Sequence, residues 1–262
     1  MEWALIAGGS KGLGRSIADA LASRKFNILL VARNKLDLEI AKHQLEIRYA
    51  IRVEIFSTDL SLPESGDQTY EWCLQNHFEI KIFCYSAGLG GSKDFQNMPL
   101  TDLRKMIRVN IESAVSLSYL LIPLLRQKAP SHILLIGSMA GFAPLSVKSV
   151  YAATKSALHS FSYSLRQQLK ADRISVHCAC PGPVFTKDSI KKETILKLGW
   201  IGKQMAVNPK EAGEKIVCAM MNGTMIIIPG KLAAFFSWFL RLLPDHLIAR
   251  ITYQNSNKDE KN

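Results

Sequence analysis

A tyrosine and a lysine four residues apart, Tyr151 and Lys155 in YAATK, follow thirteen residues after Ser138. On a helix that spacing puts both side chains on one face, one turn apart. A phenol titrates near pH ~10 and is a poor proton donor to a carbonyl at neutral pH. A lysine ammonium one turn away favours the phenolate, so the sequence predicts a tyrosine pKa drawn down toward the working range. The pair is a candidate acid/base. Tyr and Lys also fall at this spacing by chance on many solvated helices, so the elements around them must decide.

Those elements alternate. Short apolar runs at 3–7, 28–32, 53–57, 80–85, 132–136, 175–179 and 225–228 read as strands. Between them, 14–23, 36–49, 65–75, 103–127, 151–171 and 209–221 have helical periodicity. Strand–helix alternation of this kind predicts a single α/β domain, a doubly wound seven-stranded parallel sheet with helices on both faces, over residues 1–253. The stretch 183–208 is longer than a connection needs and reads as a substrate loop, with Trp200 among its apolar groups. An apolar segment follows at 231–252, and the polar tail 254–262 is expected to be disordered.

The 262 residues are 48% hydrophobic and 21% charged, ordinary globular composition with a net charge of +11. Lysine and arginine are dispersed rather than massed, which argues against nucleic acid and leaves an anionic small ligand or a membrane surface. Five scattered cysteines without CxxC, and no histidine pair at ligand spacing, suggest neither a disulfide framework nor a metal site. Cys178 and Cys180 alternate along an apolar run and read as buried strand thiols. The N-terminus has no basic n-region or long h-region, so the expected location is cytoplasmic.

AGGSKGLG, residues 7–14, joins the first strand to the first helix and spaces Gly8, Gly12 and Gly14 as G-x-x-x-G-x-G, with Ser10, Lys11 and Leu13 between. Glycines here permit positive φ and let the backbone approach a pyrophosphate at a helix N-terminus. An acid at the end of the second strand would accept from a ribose 2′-OH and repel a 2′-phosphate. That strand ends instead in Arg33, with Lys11 and Lys35 nearby and no acid in reach. A guanidinium suits a phosphate dianion, which predicts NADP(H) over NAD(H).

With these motifs in order, the chain resembles the short-chain dehydrogenase/reductase family, in its NADP-preferring Rossmann-fold form, from Ala4 to about Ile228. The family's adenine-contacting acid matches Asp59 in STDL, beside Leu60. Its N-N-A-G matches the run ending in Ala87 and Gly88, and its helix asparagine matches Asn110. The catalytic serine matches Ser138, and the Tyr-x-x-x-Lys matches Tyr151 and Lys155. P-G-x-x-x-T matches Pro181, Gly182 and Thr186, with Val184 between, on the nicotinamide side. The resemblance implies that Ser138 polarises a substrate carbonyl and Tyr151 protonates it. It implies that Lys155 tunes the phenol and holds the cofactor ribose, while Asn110 holds a relay water. Ser138, Tyr151 and Trp200 would line the substrate pocket. Ala7, Tyr85 and Ser86 depart from the family pattern, leaving a bracing bond between the first and fourth strands to be remade or lost.

The resemblance implies an NADP(H)-dependent reductase of a hydrophobic ketone or 3-oxoacyl compound, assembled as a homodimer or homotetramer. The apolar 231–252 segment, whose almost wholly apolar stretch Leu232–Leu240 is too short to span a bilayer, has competing readings as a cleft or subunit cover, a peripheral membrane contact, or core. Alternatives are a membrane-associated 3-ketosphinganine-type lipid reductase and a non-catalytic NADP(H)-binding regulator.

Overall fold

The computed structural model describes residues 2–91, 95–183, 208–240 and 242–259. Seven parallel strands form one sheet: β1 (Trp3–Ala7), β2 (Asn27–Ala32), β3 (Val53–Ser57), β4 (Ile80–Tyr85), β5 (Ser131–Ile136), β6 (Ile174–Ala179) and β7 (Ile226–Ile227), in the order β3-β2-β1-β4-β5-β6-β7. The order in which strands are added reverses between β1 and β4, which opens a crevice at the carboxyl ends of those strands.

Alternate residues of each strand feed two cores, as a sheet covered on both faces requires. One layer packs Leu5, Phe83, Leu135 and Val176 against α5 (Ser113–Gln127) and α6 (Ser149–Gln168), through Leu117, Leu121, Leu158 and Leu165. The other packs Ile6, Leu30, Ile82 and Leu134 against α1 (Gly12–Ala22), α2 (Lys35–Tyr49) and α7 (Pro209–Met221), through Ile17, Leu21, Leu38 and Ile216. Helix α3 (Ser65–Gln75) lies beside α5. Helix starts follow local chemistry: the Asn34 side chain accepts from the Asp37 N–H at 3.0 Å, and Asn208 caps α7 ahead of Pro209.

Two expectations are corrected. The helix read at 103–127 is not continuous: α4 (Leu100–Ile107) passes through a π-helical turn, Arg108–Glu112, before α5. One extra residue in that turn re-aims the side chains on it. The tail expected to be disordered is helical as far as Asp259, because α9 (Asp245–Asp259) folds back after α8 (Lys231–Leu240). The substrate loop, with Val184, Thr186 and Trp200, lies outside the described residues. The run 100–127 has the length and hydropathy to cross a membrane. It is a core helix here, with Leu117, Leu121 and Leu125 wholly buried.

Candidate active site

The turns leaving β1, β4, β5 and β6 meet at the carboxyl edge of the sheet. The glycine loop is packed backbone on backbone. Gly8 has φ +84°, and a Cβ there would meet the Ala87 nitrogen at 2.5 Å; a Cβ on Gly14 would meet the Gly8 carbonyl oxygen at 2.2 Å. The first turn of α1 carries neither a side-chain cap nor an acid. Its N–H groups and positive dipole end are therefore left for an anion, which fits a pyrophosphate. Ser10 and Leu13 belong to this loop, Leu13 resting partly on the core. The brace in doubt at Ala7 is remade by backbone alone, its carbonyl accepting from Ser86 N–H at 2.8 Å and Ala87 N–H at 2.9 Å. The Tyr85 hydroxyl is used elsewhere and donates to the Val109 carbonyl at 2.5 Å.

The π turn presents Asn110 inward, wholly buried. Its Oδ1 accepts from Leu89 N–H at 2.8 Å, and its Nδ2 donates to the Leu89 carbonyl at 2.9 Å and to Thr154 Oγ1 at 3.0 Å. Both amide protons are thus spent on protein, and one lone pair of Oδ1 is left for a water. Thr154 in turn donates to the Tyr151 carbonyl at 2.7 Å. Asn110 therefore ties the β4 exit to the helical turn carrying Tyr151 and Lys155. Thr154, Leu89 and the π turn are components the sequence reading missed; no local signal marks a threonine inside a helix as a brace.

Lys155 is 4% exposed and donates to the Ile136 carbonyl at 2.8 Å. Burial pushes its pKa down to about 8. Its Nζ stands 5.8 Å from the Tyr151 ring centroid and 3.4 Å from where a Gly88 Cβ would sit. Ser138 is held by the turn Met139–Phe142, its Oγ accepting from Ala140 N–H at 3.1 Å. That turn lies directly on α6, since a Cβ on Gly141 would meet the Lys155 carbonyl carbon at 2.7 Å. The Ser138 hydroxyl lies close enough to the Tyr151 phenol to act on its titration. Burial nevertheless raises the Tyr151 phenol above its ordinary value, with the Ser138 hydroxyl pulling against it. The expected downward shift from Lys155 is therefore not realised in the protein alone. Burial brings Lys155 down to about 8, so the amine is already neutral where the phenol, raised above its ordinary value, titrates. No charge is there to favour the phenolate.

At the far end of the crevice, Arg33 is 57% exposed, with Nη1 3.9 Å from the Asp59 carboxylate. Lys105 approaches the same carboxylate to 3.7 Å. Burial raises the Asp59 carboxyl, but hydrogen bonds from Ser61 and the charges of Lys105 and Arg33 outweigh it and hold it below the ordinary range. Leu60 beside it is buried. One expectation fails here: an acid does lie in reach, because Lys11 Nζ pairs with Asp37 Oδ2 at 2.8 Å. The first turn of α2 folds Asp37 toward the glycine loop, which sequence distance from the strand end concealed. Lys35 is exposed at the start of the same helix. On the opposite side, the Pro181 carbonyl accepts from Met139 N–H at 3.1 Å, fixing the PG turn that includes Gly182 beside Ser138. No group of three or more metal-ligating side chains occurs among the described residues.

A doubly wound parallel sheet and a glycine turn opening onto a helix N-terminus define a Rossmann-type α/β fold, with Ser138, Tyr151 and Lys155 gathered at the adjoining strand ends. Residues 2–194 match the short chain dehydrogenase family, and the chain belongs to it. The chain is 28% identical over 201 residues to a very-long-chain 3-oxoacyl-CoA reductase of Rattus norvegicus, covering 75% of this chain and 64% of that protein's length. Its fold is similar to that of a 7beta-hydroxysteroid dehydrogenase at TM-score 0.85, 16% identity and 96% of both chains. It is also similar to a short-chain dehydrogenase from Sphingobium yanoikuyae in complex with NADPH. That likeness has TM-score 0.79 and 25% identity, over 91% of this chain and 92% of that one.

Proposed function

We propose that the protein is an NADP(H)-dependent reductase of a hydrophobic ketone or 3-oxoacyl compound, with Tyr151 as general acid/base. The carrying observation is the convergence of Ser138, Tyr151 and a buried Lys155 at one strand edge, braced by Asn110. Gly8, Gly12 and Gly14 with the open end of α1 would hold the pyrophosphate, Asp59, Leu60 and Arg33 the adenosine end, and Pro181–Gly182 with Gly88 the nicotinamide side. Arg33 is the 2′-phosphate partner in this reading, because its pairing with Asp59 is long and its side chain open. A bound dihydronicotinamide would supply the hydride. The chain's own residues do the rest. Ser138 donates to the carbonyl oxygen as negative charge grows there. Tyr151 delivers a proton to that oxygen, and Lys155 stabilises the phenolate left behind. The remaining lone pair of Asn110 Oδ1 suits a relay water next to Lys155.

The substrate class draws on the name of the rat relative and on the apolar C-terminal pair. NADPH oxidation against 3-oxoacyl thioesters of increasing chain length, beside small polar ketones, tests it; kcat/KM is expected to rise with chain length. NADPH binding without turnover of any carbonyl would favour the non-catalytic regulator.

A second reading concerns location. On α8, Phe235, Trp238 and Phe239 continue into Leu242 on one exposed face, while Ala233 and Ser237 are buried on the other. A solvated helix normally carries polar residues on its outer face. With a net charge of +11, an anionic lipid surface is the fitting cover, and the protein would be cytoplasmic with peripheral membrane contact. Co-sedimentation with anionic vesicles that Trp238→Asp abolishes supports this reading; concentration-dependent dimerisation lost in the same variant assigns the face to the homodimer or homotetramer instead.

A further inference from the structure

Two glycines of the active site are explained by packing. A Cβ on Gly8 would meet the Ala87 nitrogen at 2.5 Å, and one on Gly141 the Lys155 carbonyl carbon at 2.7 Å, so no larger residue fits. Gly90, exposed in the segment that leaves β4, is different. Its φ is not positive, so the backbone does not require glycine there. A Cβ on it would rest 3.7 Å from Tyr151 Cε2 and 3.9 Å from Tyr151 Cδ2, ordinary contact distances. Alanine would therefore fit, and would stabilise the fold by restricting the unfolded chain. Glycine at this position costs stability and answers no packing demand.

The space it leaves lies at the reacting end of the phenol, because Cε2 is the ring carbon next to the one bearing the hydroxyl. A carbonyl oxygen hydrogen-bonded to that hydroxyl brings the substituents of its carbon into the same space. The next residue extends it: a Cβ on Gly91 would meet the Met98 Cε at 3.8 Å. Among the described residues, no other atom outside the adjoining chain comes within 4 Å of either position. Ring carbons therefore form one wall and a pliable thioether the other, with no side-chain charge or hydrogen-bonding group in that reach.

The floor of this slot is fixed and its mouth is open. Leu89, immediately before Gly90, is held on both sides: its N–H donates to Asn110 Oδ1 at 2.8 Å and its carbonyl accepts from Asn110 Nδ2 at 2.9 Å. A side chain added at position 90 would stay against the phenol instead of being carried away by the chain. Gly90 and Gly91 are both exposed, so the slot is reached from solvent.

We propose that Gly90 is a specificity-determining residue, whose missing side chain leaves room at the hydroxyl edge of Tyr151 for the larger, apolar substituent of the carbonyl substrate. This rests on the reductase reading and adds to it the side on which the bulk of the substrate lies. The larger group runs along the β4 side of Tyr151, over Gly90 and Gly91 toward Met98. A polar substituent finds no side-chain partner there, so the slot selects for size and for apolar character together.

The test is NADPH oxidation by the full chain with methyl ketones whose second substituent grows from methyl through n-hexyl to phenyl. The unaltered protein, Gly90→Ala and Gly90→Val are compared. The ratio of kcat/KM for the bulky ketones to that for acetone should fall ~10-fold in Gly90→Ala, the effect of one methylene in an apolar pocket, and further in Gly90→Val. Should Gly90→Val fail to fold, the ratio in Gly90→Ala decides. Gly90→Ala should unfold at a temperature no lower than the unaltered protein; a lower one would make the glycine a packing requirement and overturn the proposal. An unchanged ratio overturns it as well, and so do equal losses for every ketone, which would mark a general disturbance of Tyr151. Those outcomes leave the reductase reading standing. Were the unaltered protein to reduce no ketone and no 3-oxoacyl thioester, that reading would fall, and the slot with it.

Discussion

The Lys155 ammonium donates to the Ile136 carbonyl at 2.8 Å from a side chain that is 4% exposed, and no carboxylate pairs with it among the described residues. Its neighbours across Gly88 and along β6 are Asn110 and two thiols. A buried cation without a counter-charge is expensive for a fold. Its position is explained by chemistry rather than by stability.

Lys155→Met should therefore raise stability while removing activity. Burial lowers the lysine pKa from 10.5 to about 8, so between those values the unfolded chain binds more protons and stability rises with pH. The whole penalty, about 3 kcal/mol, is present below pH ~8 and vanishes above pH ~10.5. Leaving the Ile136 carbonyl unpaired takes back about 1 kcal/mol. Thermal unfolding at pH 7 should show the variant more stable by about 2 kcal/mol, with the gain fading at pH 10 and turnover lower by ~10²–10⁴. A lower Tm at pH 7 would contradict the desolvation argument.

The closeness of the Ser138 hydroxyl and the Tyr151 phenol predicts separable losses. Tyr151→Phe removes the proton donor and should lower kcat by ~10²–10⁴ while NADPH affinity stays near that of the unaltered protein. Ser138→Ala removes one donor to the developing oxyanion and should cost ~10²–10³ in kcat. Residual turnover of Tyr151→Phe close to the original rate would remove the tyrosine from the mechanism.

Asn110 carries structure and chemistry together. Asn110→Ala leaves Leu89 N–H, Leu89 carbonyl and Thr154 Oγ1 without their partner, at about 1–3 kcal/mol for each buried group that finds no water. Urea unfolding should show a loss of at least about 2 kcal/mol with an unchanged m-value. A loss under about 0.5 kcal/mol would mean the bracket is not strained by removal, as for surface sites.

The glycine loop and the Ser138, Tyr151 and Lys155 set were legible because their chemistry is encoded within a few residues of chain. The seven strands were legible for the same reason: buried parallel strands read as short apolar runs. The π turn at Arg108–Glu112 was not, since its 3.6-period pattern is almost that of an uninterrupted helix. Thr154 and the Leu89 backbone acquire meaning only when β4 and α6 come together. The direction of the Tyr151 shift was misread because spacing reports which charge is near and says nothing of burial. The same limit hid Asp37, which pairs with Lys11 only once α2 has formed.

Arg33 decides the cofactor prediction. Asp37 and Asp59 already temper the positive charge around it, so one guanidinium holds much of the preference. Arg33→Asp should weaken NADPH binding by ~10–100-fold, the range of a lost charge-assisted pair, and leave NADH binding little changed. Equal affinity of the original protein for the two nucleotides would remove the 2′-phosphate assignment.

The last prediction concerns acid stability, far from the reacting groups. His177 on β6 donates through Nδ1 to the Thr224 carbonyl at 2.7 Å, which leaves its Nε2 to accept from His132 Nδ1 at 3.1 Å. Burial pushes His177 down to about 4, against the pull of the Thr224 bond and with help from His132 and Arg166. His132 is lowered as well, by burial and by Lys81 and Arg166. Between pH 6.5 and about 4 the unfolded chain binds a proton that the folded chain refuses, so stability falls as pH falls through that window. The slope from His177 alone approaches about 1.4 kcal/mol per pH unit and the total about 3 kcal/mol. His177→Gln keeps a donor for Thr224 and carries no titrating ring. Urea unfolding at pH 7, 6 and 5 should show a shallower decline in that variant, and identical slopes in the two proteins would exclude the histidine pair as the cause.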